Sequence, residues 1–174
     1  MHAQATLPYF AKPSLALSAA DKEAAYQTVQ GQLRAVLDAE SSRTVRMVTI
    51  NCLLKTNLPY YFWVGFYEVV GDHLEVGPYQ GTLGCLTIAF DRGVCGKAAR
   101  TRRTQLVADT HVLAEGTEHI ACDPNSQSEI VVPVFDASGE LLAVFDVDST
   151  LAGSFDAIDQ RYLEAILAEW FGRD

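Results

Sequence analysis

Two tight turns govern what this chain can become. Gly71-Asp72 separates the aromatic and β-branched run Tyr60–Val70 from Leu74–Tyr79, and Asp136-Ala-Ser-Gly139 separates Glu129–Phe135 from Leu141–Val147. A short glycine-containing turn between two runs of strand formers makes them antiparallel neighbours, so the middle of the chain reads as two β-hairpins. Cys85–Phe90 and Thr104–Val107 read as further strands, with a short helix at Gly96–Arg103 between them. A polar loop continues from there through Asn125.

The hydrophobic period changes at both ends. Tyr26, Val29, Leu33, Val36 and Leu37 recur at helical intervals, which predicts an amphipathic helix over residues 19–39. Ser18-Ala-Ala-Asp21 supplies capping-box spacing at its start. A second helix is expected from Arg43 to Leu54, with Val45, Val48 and Cys52 on its apolar stripe as core residues, before Leu58-Pro59 ends it. Asp156 caps a last helix to Phe171, where Ile158, Tyr162, Leu163, Ile166 and Trp170 share one side. Pro8 and Pro13 mark residues 1–17 as a loose arm, leaving 18–174 as a single domain. The fold class is α+β, an antiparallel sheet with helices packed on one face.

Composition narrows the function classes. A net charge of −9 disfavours nucleic acid and anionic membrane surfaces as partners. No apolar run approaches the ~20 residues of a membrane helix, and the first residues lack the pattern of a signal peptide. A cytoplasmic protein is the expectation, in which the four cysteines stay reduced unless their chemistry is the point.

Strand alternation sorts side chains by face. In Tyr60–Tyr67, Phe62, Val64 and Phe66 share one face, while Trp63, Gly65 and Tyr67 share the other, with the glycine leaving a notch between two large rings. Ile130, Val132 and Val134 face the core, which puts Glu129 opposite; in Phe145-Asp-Val-Asp148 the two aspartates share a face. Such a carboxylate pair reads either as the solvated side of a sheet or as a site in which repulsion raises one pKa, as a general acid requires. Cys85, Cys95 and Cys122 sit in glycine-rich or polar stretches. Three readings compete for them: incidental buried thiols, a zinc site completed by His119 or His111, and thiol redox chemistry.

Six segments break the tie. Trp63-Val-Gly-Phe-Tyr67, Gly77-Pro-Tyr-Gln-Gly81, Arg92-Gly-Val-Cys-Gly96, His119-Ile-Ala-Cys-Asp123, Ser128-Glu-Ile-Val-Val-Pro133 and Asp146-Val-Asp-Ser149 occur in the order found in the free methionine-(R)-sulfoxide reductases, a branch of the GAF-domain superfamily that the chain resembles. The resemblance implies a thiol-dependent reductase of the free amino acid that uses no bound cofactor or metal. Cys122 would attack the sulfoxide, with Cys85 and Cys95 as resolving or supporting thiols. Trp63 and Tyr67 would form the aromatic pair, and Glu129, Asp146 and Asp148 the acidic cluster that binds the substrate ammonium and donates a proton. A thioredoxin-like dithiol would complete the cycle, and a homodimer would follow the family's habit. The run Asp109–His119 is about three residues longer than the family's loop. A non-catalytic GAF module that binds or senses a small molecule is the alternative, since a fold alone does not decide function.

For the resolving thiol, Cys95 is favoured over Cys85. Cys95 has flanking glycines at Gly93 and Gly96, and a helix N-terminus after it would favour its thiolate. A Cys95–Cys122 disulfide is therefore expected.

Overall fold

A computed structural model describes residues 11–112 and 122–172. Its elements are α1 (Ala19–Val36), α2 (Arg43–Asn57), β1 (Trp63–Val70), β2 (His73–Gln80), β3 (Thr87–Ala89), α3 (Gly93–Thr101), β4 (Gln105–Val107), β5 (Ser128–Phe135), β6 (Leu141–Ser149) and α4 (Ala157–Phe171). Both expected hairpins form, as β1–β2 and β5–β6. The strands lie in the order β3-β2-β1-β6-β5-β4, every pair antiparallel. The pairing that makes one sheet of the two hairpins is β1 with β6.

The sheet has two apolar faces. Val64, Phe66, Ile130, Val132, Val134, Phe145 and Val147 pack under α1, α2 and α4 and form the main core. On the other face, Trp63, Tyr67, Val131 and Val144 pack with Val94, Cys95, Ala98 and Ala99 of α3. The three long helices thus share a face, whereas the short α3 covers the opposite one. Alternation inside β5 and β6 allows this, because buried strands carry apolar groups on both sides. Phe62 joins the α3 side with Trp63 rather than Val64 and Phe66; it precedes β1, so the strand's alternation does not extend to it.

Two further sequence expectations are corrected. Cys52 is exposed, as are Val45 and Val48. The buried stripe of α2 is Met47, Ile50 and Leu54, which has the same spacing two residues on, roughly the opposite side of the helix, and carries the bulkier side chains. Asn51 and Arg46 are buried beside it, donating to the carbonyls of Pro78 and Trp170. The described part of the N-terminal arm is not loose. Ser14 Oγ donates to the Tyr60 carbonyl at 2.9 Å, and its backbone N–H donates to Thr150 Oγ1 at 2.8 Å.

Candidate active site

The sheet register assembles an acidic row. β6 lies between β1 and β5, so Asp148 stands opposite Trp63 on one side and Glu129 on the other. One step along, Asp146 is opposite Gly65 and Val131. Like charges on adjacent strands repel across a few ångströms. The acidic cluster is therefore not the solvated side of the sheet: Glu129 and Asp146 are each 6% exposed, roofed by α3.

Burial decides the electrostatics. Glu129 is raised well above the ordinary carboxyl range by burial first and by Asp148 second. Asp146 is raised for the same two reasons, with Glu129 adding to them. Their carboxyl oxygens come within 4.8 Å of each other, close enough that two negative charges are disfavoured and the pair holds a proton. Asp148 is only half-buried and accepts a short hydrogen bond from Ser126 Oγ. Burial likewise raises the Tyr67 hydroxyl, which keeps it a donor.

Cys95 sits in the first turn of α3, not ahead of it, and Gly96 lets the helix approach closely, since a Cβ there would fall 2.7 Å from the carbonyls of Ala89 and Phe90. The thiol is held well above its ordinary pKa by burial, then by Asp146 and Glu129. Neighbouring carboxyls and burial therefore overcome the helix terminus, and Cys95 is a thiol rather than the expected thiolate. The disulfide is also not the expected one: it joins Cys122 to Cys85, with Cα atoms 5.3 Å apart. Cys85 lies ahead of β3 rather than within a strand, on a strap that leaves β2 at Gly81 and rejoins it at Leu86, whose carbonyl accepts from the Val76 N–H at 3.0 Å. That position lets it reach Cys122, while Cys95 is fixed in a packed helix with its sulfur within 4.8 Å of the Asp146 carboxylate.

The strap closes on Trp63. The indole Nε1 donates to the Thr82 carbonyl at 3.0 Å, and the ring stacks with Tyr67 and Tyr79 at centroid distances of 5.7 and 5.2 Å. A Cβ on Gly65 would lie 2.7 Å from the indole and 2.4 Å from Tyr79 Cβ, so the indole itself fills the notch expected between the rings. Thr82 Oγ1 donates a short hydrogen bond to Asp123, a second tie between the strap and the Cys122 loop. Sequence reasoning missed Tyr79, Thr82, Asp123 and Ser126. Only Asp123 had a local signal: Asp-Pro-Asn is a turn sequence, and Asp123 Oδ1 accepts from the Asn125 backbone at 2.8 Å. Glu115, Glu118 and His119, with most of the lengthened loop, lie outside the described residues.

These groups surround a cavity of about 40 Å³ lined by Cys95, Cys122, Asp123, Ser126, Glu129, Asp146 and Asp148, with Ile88 and Val94. Space of that size holds roughly two or three waters. The raised carboxyls carry a stability consequence. The folded state holds protons where an unfolded chain would not, so stability is fullest below the ordinary carboxyl pKa and falls as pH rises through the raised values. Each group contributes a slope of at most about 1.4 kcal/mol per pH unit. Asp146→Asn is expected to flatten that decline in urea midpoints taken from about pH 5 to pH 9; equal slopes for variant and parent would refute the buried pair.

The family model described as the GAF domain matches residues 29–169. The chain is 35% identical over 144 residues to the free methionine-R-sulfoxide reductase of Escherichia coli, which covers 83% of this chain and 85% of that protein. The solved structure of free methionine-R-sulfoxide reductase from Neisseria meningitidis in complex with its substrate matches at 38% identity and TM-score 0.79, covering 92% of this chain and 96% of that one. The reduced form of the fRMsr of Staphylococcus aureus matches at 40% identity and TM-score 0.75, covering 82% and 90%. By these matches and by its sheet, the chain belongs to the GAF-domain family, alongside relatives named free methionine-R-sulfoxide reductase.

Proposed function

We propose that the protein reduces free methionine-(R)-sulfoxide to methionine with electrons from a dithiol. The observation that carries this reading is a redox disulfide, Cys85–Cys122, bordering the same cavity as a buried, proton-sharing carboxyl pair. Cys122 is the nucleophile. Its thiolate attacks the sulfoxide sulfur while the Glu129–Asp146 pair delivers a proton to the departing oxygen. Methionine leaves with two electrons gained, and Cys122 is left as a sulfenic acid. Cys85 then displaces the hydroxyl as water and closes the disulfide, and an external dithiol of the thioredoxin class reopens it. Asp148, less buried than its neighbours, is the carboxylate placed to take the substrate ammonium. That requirement selects the free amino acid over a peptide residue. Trp63, stacked beside Tyr67, supplies the aromatic surface for the S-methyl group.

At about 40 Å³ the cavity has room for a few waters but not for an amino acid, a size that suits the oxidised stage of this cycle. The test is direct. Protein, free methionine-(R)-sulfoxide and dithiothreitol should yield methionine catalytically, the S epimer should not, and thioredoxin with its reductase should replace dithiothreitol. Absence of methionine with either reductant would sink the reading in favour of a binding module.

A further inference from the structure

Cys95, Glu129 and Asp146 come from α3, β5 and β6, yet their sulfur and carboxylate ligand atoms all lie within 4.8 Å of one another. All three are buried. Asp146 Oδ1 is in addition buried with no hydrogen-bond partner among the described residues. A buried carboxylate oxygen left unpaired is costly, and it signals an occupant that would pair it. Among the described residues, no lysine or arginine lines the cavity to supply that charge.

We propose that Cys95, Glu129 and Asp146 form a binding site for a thiophilic divalent transition-metal ion, with zinc as the natural member of the class. One sulfur and two carboxylate oxygens are a donor set that zinc and cobalt accept, whereas magnesium and calcium require oxygen alone. Three protein ligands leave a fourth position, which a water in the adjoining cavity fills. Binding is ligand exchange without redox change: the ion sheds water, Cys95 releases its thiol proton and the Glu129–Asp146 pair the proton it holds to solvent, and metal–sulfur and metal–oxygen bonds replace S–H and O–H. A site that is too small for an amino acid is large enough for an ion. The further consequence rests on the reductase reading, because an ion there occupies the proton donor and excludes substrate.

The oxidised protein makes the test clean. With Cys85–Cys122 closed, Cys52 and Cys95 are the free thiols, and Cys52→Ala removes the exposed one. Titration of that full-length variant with Co²⁺ should saturate at one equivalent and develop thiolate-to-cobalt charge-transfer absorption, which Zn²⁺ then displaces and Ca²⁺ does not. Cys95→Ala should abolish the band. Asp146→Asn should weaken binding by more than the roughly 10–100-fold that loss of an outer-shell partner costs. Absence of the band in the Cys52→Ala protein overturns the site, as does a band that survives Cys95→Ala. These outcomes stand whether or not the protein reduces sulfoxide. If it does, Zn²⁺ should raise the apparent KM of the reduced enzyme for methionine sulfoxide.

Discussion

Cys122→Ser should leave no methionine released in a single turnover, a loss of roughly a thousandfold or more. The hydroxyl of serine has neither the acidity nor the polarisability to attack sulfur. Cys85→Ser separates the two halves of the cycle. Its first turnover should release methionine at close to the parent rate, because the Cys85 sulfur enters only after the sulfenic acid has formed. Its steady state with thioredoxin should then collapse, since no disulfide is presented to the reductant. Quenching the parent after one turnover, alkylating it and mapping its peptides should give a dominant Cys85–Cys122 cross-link, as the 5.3 Å Cα separation allows. Normal release from Cys122→Ser would remove the nucleophile assignment outright. A dominant Cys95–Cys122 peptide would show instead that α3 rearranges during turnover.

Local signals in the sequence carry far in this protein, and their failures share one cause. The turns at Gly71-Asp72 and Asp136–Gly139 place the hairpins correctly because turn chemistry is local. Ser18 and Asp156 cap their helices because a cap involves only neighbouring residues. Alternation correctly puts Glu129, Asp146 and Asp148 off the core face of the helices. It cannot show that a further helix covers that second face, and that cover converts solvated carboxyls into proton-holding ones. The same cover reverses the expectation for Cys95: a helix terminus is visible in sequence, whereas the two buried acids facing it belong to strands 34 and 51 residues away (129 − 95 and 146 − 95). The stripe of α2 fails for a simpler reason. Val45-Val48-Cys52 and Met47-Ile50-Leu54 have identical spacing, so periodicity alone cannot choose between them, and side-chain bulk does.

Asp159→Ala should destabilise the protein by about 3–5 kcal/mol, the largest stability loss expected from a single polar substitution here. Asp159 is wholly buried on α4 and gathers donors from distant parts of the chain. Lys22 Nζ of α1 donates at 2.6 Å, Tyr26 Oη at 2.8 Å, Tyr60 Oη at 2.5 Å and the Asp156 backbone N–H at 2.9 Å. Removing the carboxylate deprives two buried hydroxyls of their charged acceptor, leaving Tyr26 only its 2.7 Å contact with Tyr61 Oη, and strips Lys22 of its nearer counter-ion. Asp156 still holds Lys22 at 2.9 Å, which limits the loss without cancelling it. The sequence shows the capping-box spacing of Asp156 and Asp159, but not the burial, which requires Lys22 to arrive from 137 residues away. The knot ties α1 and α4 to Tyr60, three residues before Trp63, and so clamps the entrance of the strand that carries the aromatic surface. Urea unfolding should show the loss as a lowered midpoint with an unchanged slope, and Lys22→Met combined with Asp159→Leu should recover much of it, because a matched apolar pair leaves no buried charge. A loss below about 1 kcal/mol for Asp159→Ala would mean that water replaces the carboxylate at no cost, and that the network does not hold the two terminal helices together.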